Sequence, residues 1–329
     1  MFKHIKFAVL KSVAVAAVLT TLTPASHAAD WPELKPIRVI VPWSPGGVAD
    51  YLGRQLSDSL SKQLGQVVIV ENKPGAGTNI GSTEVARAEP DGYTLLLASS
   101  ANAANMSLYK DMRYDAVKDF VPVSLLGYTP MVLVGNPGLE PKSLKDLISY
   151  SHKNPEEITY ASAGVGSPAH LAGESFKAEA DVDWLHVAYK GAGPAITDLM
   201  GGQVQMMFTN VPASIGGITS GKLHAYAITG QNRSIALPDV PTFAEAGLEN
   251  YDASGWYGIV APAGTPEAIT QKLYEEIKQA LLEPARAESI RKQGVELVVS
   301  SPEELKNKIS EDIKFYDVLT KKIGIQSNL

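Results

Sequence analysis

Four stretches place glycine, proline and hydroxyl residues where a strand runs into a helix. They are Pro42-Trp-Ser-Pro-Gly-Gly47, Lys73-Pro-Gly-Ala-Gly-Thr-Asn-Ile-Gly81, Ser162-Ala-Gly-Val-Gly-Ser-Pro-Ala-His170 and Lys190-Gly-Ala-Gly-Pro194. The first backbone N–H groups of a helix have no intrahelical acceptor, and the helix dipole makes that end positive. Glycines let a bound group come close to those donors. The chemistry on offer is capture of an anion by backbone N–H groups. One such loop is an ordinary turn; four in one chain predict a site assembled largely from backbone.

In the first loop Gly46 and Gly47 are the expected N–H donors, Ser44 adds a hydroxyl, and Trp43 has an apolar face that can cover a carbon skeleton. A plain strand–helix turn with Trp43 in the core is the competing reading. Asp50 falls in the first helical turn, where the dipole favours a carboxylate. In the third loop Gly166 supplies backbone while Ser162 and Ser167 supply hydroxyls, and Pro168 suits the first position of the following helix. Tyr189 and Lys190 stand where they can reach a cleft, although Lys190 can equally be solvated. Thr209 and Asn210 follow Phe208 at the end of another strand, and an amide there can both donate and accept. Ser99 joins this set because it closes the run Thr94–Ala98 on the same predicted edge.

Other chemistries find little support. A nucleophile–base pair would need His170 with Ser162 or Ser167, and neither serine lies in a GxSxG elbow. No catalytic residue is assigned. His170, His186 and His224 lack metal-ligand spacing and the chain has no cysteine, so no metal site, disulfide or lipid-accepting thiol is expected. Gly75, Gly77 and Gly81 follow a strand with a spacing superficially like a dinucleotide fingerprint. Pro74 precedes them, however, and Leu95–Ala101 offers no acid to hold a ribose. No cofactor is expected.

The elements that must position these residues alternate. Ile37–Val41, Val67–Val70, Thr94–Ala98, Met131–Val134, Ile158–Ala161, Met206–Phe208, Ala225–Thr229 and Tyr257–Ala261 read as short β-branched strands. Between and after them lie helical patterns over Asp50–Leu64, Leu144–His152, His170–Ala180, Pro266–Leu282 and Pro302–Lys322. This alternation predicts an α/β fold with mostly parallel sheets. Ligands of such sheets bind beyond the carboxyl ends of the strands, where the glycine loops lie.

The first residues read as a leader. Lys3, Lys6 and Lys11 form a basic start, Ser12–Leu22 an apolar run, and Ser26-His-Ala28 a small-residue cleavage site, which predicts removal after Ala28 and export to a bacterial periplasm. The apolar run is too short to span a bilayer, which needs ~20 apolar residues. Beyond residue 28 the chain carries 26 basic against 35 acidic side chains, net −9. That opposes nucleic-acid binding and gives no general pull on an anion, so an anion site must be local. The roughly 300 remaining residues are long for one core and suit two lobes. Boundaries near Leu126–Met131 and Asp252–Trp256 would divide them into 29–130 plus 253–329 and 131–252, with a cleft between. Closure of the two lobes over a ligand would follow by hinge motion.

Taken together, the motifs resemble the extracytoplasmic solute receptors of tripartite tricarboxylate transporters, the Bug family. The resemblance rests on Val41-Pro-Trp-Ser-Pro-Gly-Gly-Val-Ala-Asp50 with Arg54, Val70-Glu-Asn-Lys-Pro-Gly-Ala-Gly77, Glu89-Pro-Asp-Gly-Tyr-Thr94 and Tyr189-Lys-Gly191. Leu237-Pro-Asp-Val-Pro-Thr242 with Glu245-Ala-Gly247, and Trp256-Tyr-Gly-Ile-Val-Ala-Pro-Ala-Gly-Thr-Pro266, complete it across nearly the whole chain after the leader. It implies a two-lobed type II periplasmic binding protein, expected to act as a monomer. Its ligand would be a small di-, tri- or aromatic carboxylate held by loop backbone and hydroxyls, and its partner a two-part integral membrane permease. Many relatives carry Asp where Thr209 stands, able to meet a ligand amine; Thr209 therefore argues for a ligand without one. A ligand-presenting sensor for a membrane kinase and a periplasmic enzyme acting on a carboxylate are the alternative readings.

Overall fold

The computed structural model describes residues 31–189 and 191–324; the predicted leader, 1–28, and Lys190 lie outside the described residues. The first pass of the chain runs β1 (Ile37–Val41), α1 (Val48–Leu64), β2 (Val68–Asn72), α2 (Asn79–Ala86), β3 (Thr94–Ser99), α3 (Ser100–Leu108) and β4 (Phe120–Thr129). It continues through β5 (Met131–Gly135), α4 (Leu144–Lys153), β6 (Thr159–Ser162), α5 (Pro168–Ala180), β7 (Leu185–Ala188), α6 (Ala192–Met200), β8 (Met206–Asn210), α7 (Val211–Thr219) and β9 (His224–Ile228). The last pass is β10 (Gly255–Pro262), α8 (Glu267–Leu281), α9 (Pro284–Lys292), β11 (Glu296–Ser300) and α10 (Pro302–Ile323).

Two helix-flanked sheets result, each the centre of a lobe. One has the order β11-β4-β10-β3-β1-β2 and the other β7-β6-β8-β5-β9. The first therefore combines strands from the first and last passes, and the second is built wholly from the middle of the chain. Both sheets are mixed rather than mostly parallel. The β1–β2, β1–β3, β6–β7 and β6–β8 pairs are parallel, while β10 runs against β3 and β4, β11 against β4, and β5 against β8 and β9. The reversals fall on strands that flank the passages between sheets: β4 and β5 before and after the first, and β10 after the second.

Local sequence accounts for most elements. In β1 the run Ile37-Arg-Val-Ile-Val41 is buried on both faces except at Arg38, as expected of a strand covered by helices on both sides. Helix α1 turns Leu52, Leu56 and Leu60 onto that sheet and stops at Gly65, which is left-handed at φ 64°. The second lobe closes around Phe176, Trp184, Phe208, Phe243 and Tyr251. Strands β4 and β11 were not among the expected runs. Pro122 interrupts the β4 pattern, and the β4–β10 register shifts there because proline cannot donate to the ladder. Two passages join the lobes, and Thr229 ties them. Its Oγ accepts the Met131 N–H at 2.8 Å and the Ser254 hydroxyl at 2.9 Å. Among the described residues no helix is long and apolar enough to cross a membrane.

Candidate functional site

A cavity of about 960 Å³ lies between the two sheets. Five helices begin on its wall: α1 at Gly47, α2 at Thr78, α3 at Ser99, α5 at Ser167 and α7 at Asn210. Ser99 Oγ accepts the Ala101 N–H at 3.1 Å, Ser167 Oγ the His170 N–H at 3.3 Å, and Asn210 Oδ1 the Ala213 N–H at 3.0 Å. Each cap thus uses an acceptor on its own helix and keeps a donor, hydroxyl hydrogen or amide NH2. At α1 no side chain caps the helix, so Gly47 leaves the first-turn N–H groups uncovered. Among the described residues no Asp, Glu, Lys, Arg or His lines the cavity. Attraction for an anion there would come from the helix ends. The apolar part of the wall includes Trp43, Tyr109, Met131 and Tyr257. Trp43 and Tyr257 meet edge to face with ring centres 5.6 Å apart.

Buried polar groups hold these loops in place. Asp50 accepts the Gly46 N–H, the Arg54 Nε–H and the Asn72 amide, each at 3.0 Å. Arg54 is the main reason the Asp50 carboxyl stays below its ordinary range, with the Gly46 and Asn72 bonds adding to it. Asn72 also donates to the Trp43 carbonyl at 3.1 Å, closing the loop from below. Asn105 donates to the Gly77 carbonyl at 2.6 Å and to Asn79 at 2.8 Å, fastening the second glycine loop to α3. Gly77 is left-handed at φ 59°, and a side-chain carbon there would stand 2.7 Å from the Tyr109 hydroxyl.

His170 is buried, and its Nδ1 accepts the Gly166 N–H at 3.0 Å. Burial, assisted by the neighbouring His186, lowers its pKa from 6.5 to about 4. In the unfolded chain the ring takes a proton as pH drops below about 6.5, while in the folded protein it stays neutral to about 4. The unfolded state then binds more protons, so stability falls with falling pH across that window. The expected loss is up to about 3 kcal/mol at one pKa unit per 1.36 kcal/mol. Urea unfolding of wild type and His170→Asn at pH 7, 5.5 and 4.5 checks this: wild type should lose more than the variant.

A family model for the tripartite tricarboxylate transporter family receptor matches residues 52–325. The chain belongs to that receptor family. Protein BugT of Bordetella pertussis is 38% identical over 309 residues, covering 93% of this chain and 95% of that protein. The solved structure of R. palustris Rpa4515 with adipate is 32% identical with a TM-score of 0.77, covering 90% of this chain and 99% of the other. MatC from Rhodopseudomonas palustris with bound malate is also 32% identical, with a TM-score of 0.72 and coverage of 87% and 99%. The family is one of periplasmic binding proteins, not of enzymes.

In this receptor the cavity wall includes Trp43, Ser44, Gly47, Ser99, Gly166, Ser167 and Asn210. The expected residues Gly46, Ser162, Tyr189 and Thr209 stand off it. Gly46 turns its N–H to Asp50, and Gly166, though on the wall, gives its N–H to His170. Tyr189 donates its hydroxyl to Asp198 at 2.9 Å on the following helix. Thr209 is buried in β8 opposite Val132. Ser162 Oγ lies 2.7 Å from His186 Nε2, the spacing of a nucleophile and base, but Ser162 is wholly buried and its hydroxyl also meets the Gly164 backbone. Trp43 is partly buried, packed on the first core while also facing the cleft, so the competing core reading describes one of its two faces. Sequence reasoning missed Thr78, Asn105, Tyr109, Met131, Gln293 and Gly294 on the wall. Tyr257 was within reach, since it sits in the quoted motif beginning at Trp256.

Proposed function

We propose that this receptor captures a small organic carboxylate without an amine, a di-, tri- or aromatic acid, and delivers it to the two-part membrane permease of a tripartite tricarboxylate transporter. In this reading the leader is removed after Ala28, the mature chain works in the periplasm, and residues 29–130 plus 253–329 close against 131–252 around the ligand. The observation that carries it is the convergence of five helix N-termini on a cavity with no charged side chain among its described lining residues. A carboxylate satisfies those donors, whereas a ligand ammonium would meet no carboxylate on the wall. The adipate and malate of the R. palustris relatives support the same ligand class.

The energetics are adequate. A hydrogen bond to a charged group contributes roughly 1.5–3 kcal/mol. A micromolar complex needs about 8 kcal/mol. Four or five donors with apolar cover from Trp43 and Tyr257 reach that value after the cost of closure. A thermal-shift screen of aliphatic and aromatic carboxylates tests the reading, since ligand at ~100 times its dissociation constant stabilises the fold by about 2.7 kcal/mol. A rise in melting temperature with at least one carboxylate is expected. A rise with amines or sugars and with no carboxylate overturns the ligand class.

A further inference from the structure

The third glycine loop is held from beneath by two imidazoles that do not themselves line the cavity. Tyr160, His186 and His170 form a three-ring stack, with centres 4.9 Å apart between Tyr160 and His186 and 3.9 Å apart between His186 and His170. The upper ring receives the Gly166 N–H on Nδ1 at 3.0 Å, which requires that nitrogen to be unprotonated. The His170 backbone N–H also donates to Ser167 Oγ at 3.3 Å, so one residue grips the loop at two successive positions. The middle ring grips the loop's start. Ser162 Oγ lies 2.7 Å from His186 Nε2, accepts the Gly164 N–H at 3.1 Å and reaches the Gly164 carbonyl at 3.1 Å. A hydroxyl has one hydrogen and two lone pairs. All three contacts are satisfied only if His186 Nε2–H donates and the hydroxyl hydrogen goes to the Gly164 carbonyl.

We propose that His170 and His186 are positioning residues that set the shape of loop 163–167, the part of the cavity wall from which α5 begins. The proposal rests on the carboxylate reading only for what the loop goes on to hold. A proton on His170 Nδ1 would remove the acceptor and set N–H against N–H, releasing Gly166. Burial resists that proton, as does the facing His186 on β7, while Glu174 on the same helix favours it and Lys177 opposes it. Glu174 is itself bound to the Tyr160 hydroxyl from β6 and to Lys177. Helix α10 and strand β8 reach α5 through apolar side chains, Leu319 beside Leu171 and Phe208 beside Phe176. The grip is therefore intact at neutral pH and fails in acid.

Amide hydrogen exchange of loop 163–167 in the ligand-free protein tests this, so a failed carboxylate screen leaves the test standing. His170→Phe keeps a ring and loses the acceptor, and the Gly166 amide should exchange about tenfold faster, the loss of roughly one hydrogen bond. His170→Asn, whose Oδ1 can take the place of Nδ1, should restore protection. After scaling for intrinsic rates, wild type should lose Gly166 protection as the pH falls through about 4 while the asparagine variant keeps it. Equal protection in wild type and the phenylalanine variant, or the same acid loss in the asparagine variant, overturns the proposal.

Discussion

Gly47→Asp should weaken carboxylate binding at least a hundredfold without lowering the melting temperature. Gly47 is the N-cap of α1, with extended backbone at φ −89° and ψ 177° that any residue can adopt. A side-chain carbon there meets nothing within 4 Å. Aspartate is a better N-cap than glycine by a few tenths of a kcal/mol, so the fold should hold or gain slightly. The same carboxylate would occupy the uncovered N–H groups of α1 and add a negative charge to the wall of a cavity whose described lining carries none. Losing at least one charge-assisted bond and adding repulsion should weaken binding by a hundredfold or more, about 2.7 kcal/mol. Calorimetric titration with the best carboxylate from the screen, beside a melting curve, separates the two effects. Unchanged affinity would remove α1 from the site.

The largest expected change in stability lies away from the cavity. Phe176 is fully buried in the second lobe, with ring centres 4.8 Å from Trp184, 5.6 Å from Tyr251, 5.8 Å from Phe208 and 6.0 Å from Phe243. These large rings cannot collapse far into the gap left by a smaller residue. Phe176→Ala should cost about 3–5 kcal/mol. At 2–4 °C per kcal/mol for a unit of this size, that lowers the melting midpoint by roughly 10 °C. Phe176 does not line the cavity, so a carboxylate that stabilises wild type should still raise the variant's midpoint. Losing that rise as well would show that the second-lobe core sets the shape of the cleft.

The local parts of this protein follow from short stretches of chain. The β-branched run Ile37–Val41 makes a strand, Leu52, Leu56 and Leu60 make the buried face of a helix, and the glycines between them open the helix end. Those are neighbour effects of a few residues, which is why the α/β class, the helix starts that open on the cavity and the expected wall residues Trp43, Ser44, Gly47, Ser99, Gly166, Ser167 and Asn210 were legible without coordinates. The match of spaced motifs carried the family as well.

Which donors face the cleft was decided elsewhere. Gly46, Gly166 and Ser162 look like free donors in sequence, but Asp50, His170 and the Gly164 carbonyl accept from them, through contacts across a helical turn or within the loop. Tyr189 turns to Asp198 on a different element, a direction that no local pattern encodes. Gln293, Gly294, Met131 and Tyr257 reach the wall only because the chain crosses between sheets twice and returns β10 antiparallel into the first. Sequence alone determined the strand–glycine–helix units and the kind of group they could hold, because backbone donors at a helix start are a property of adjacent residues. Only the tertiary structure decided which of those units share one cavity, because that depends on packing between segments far apart in the chain.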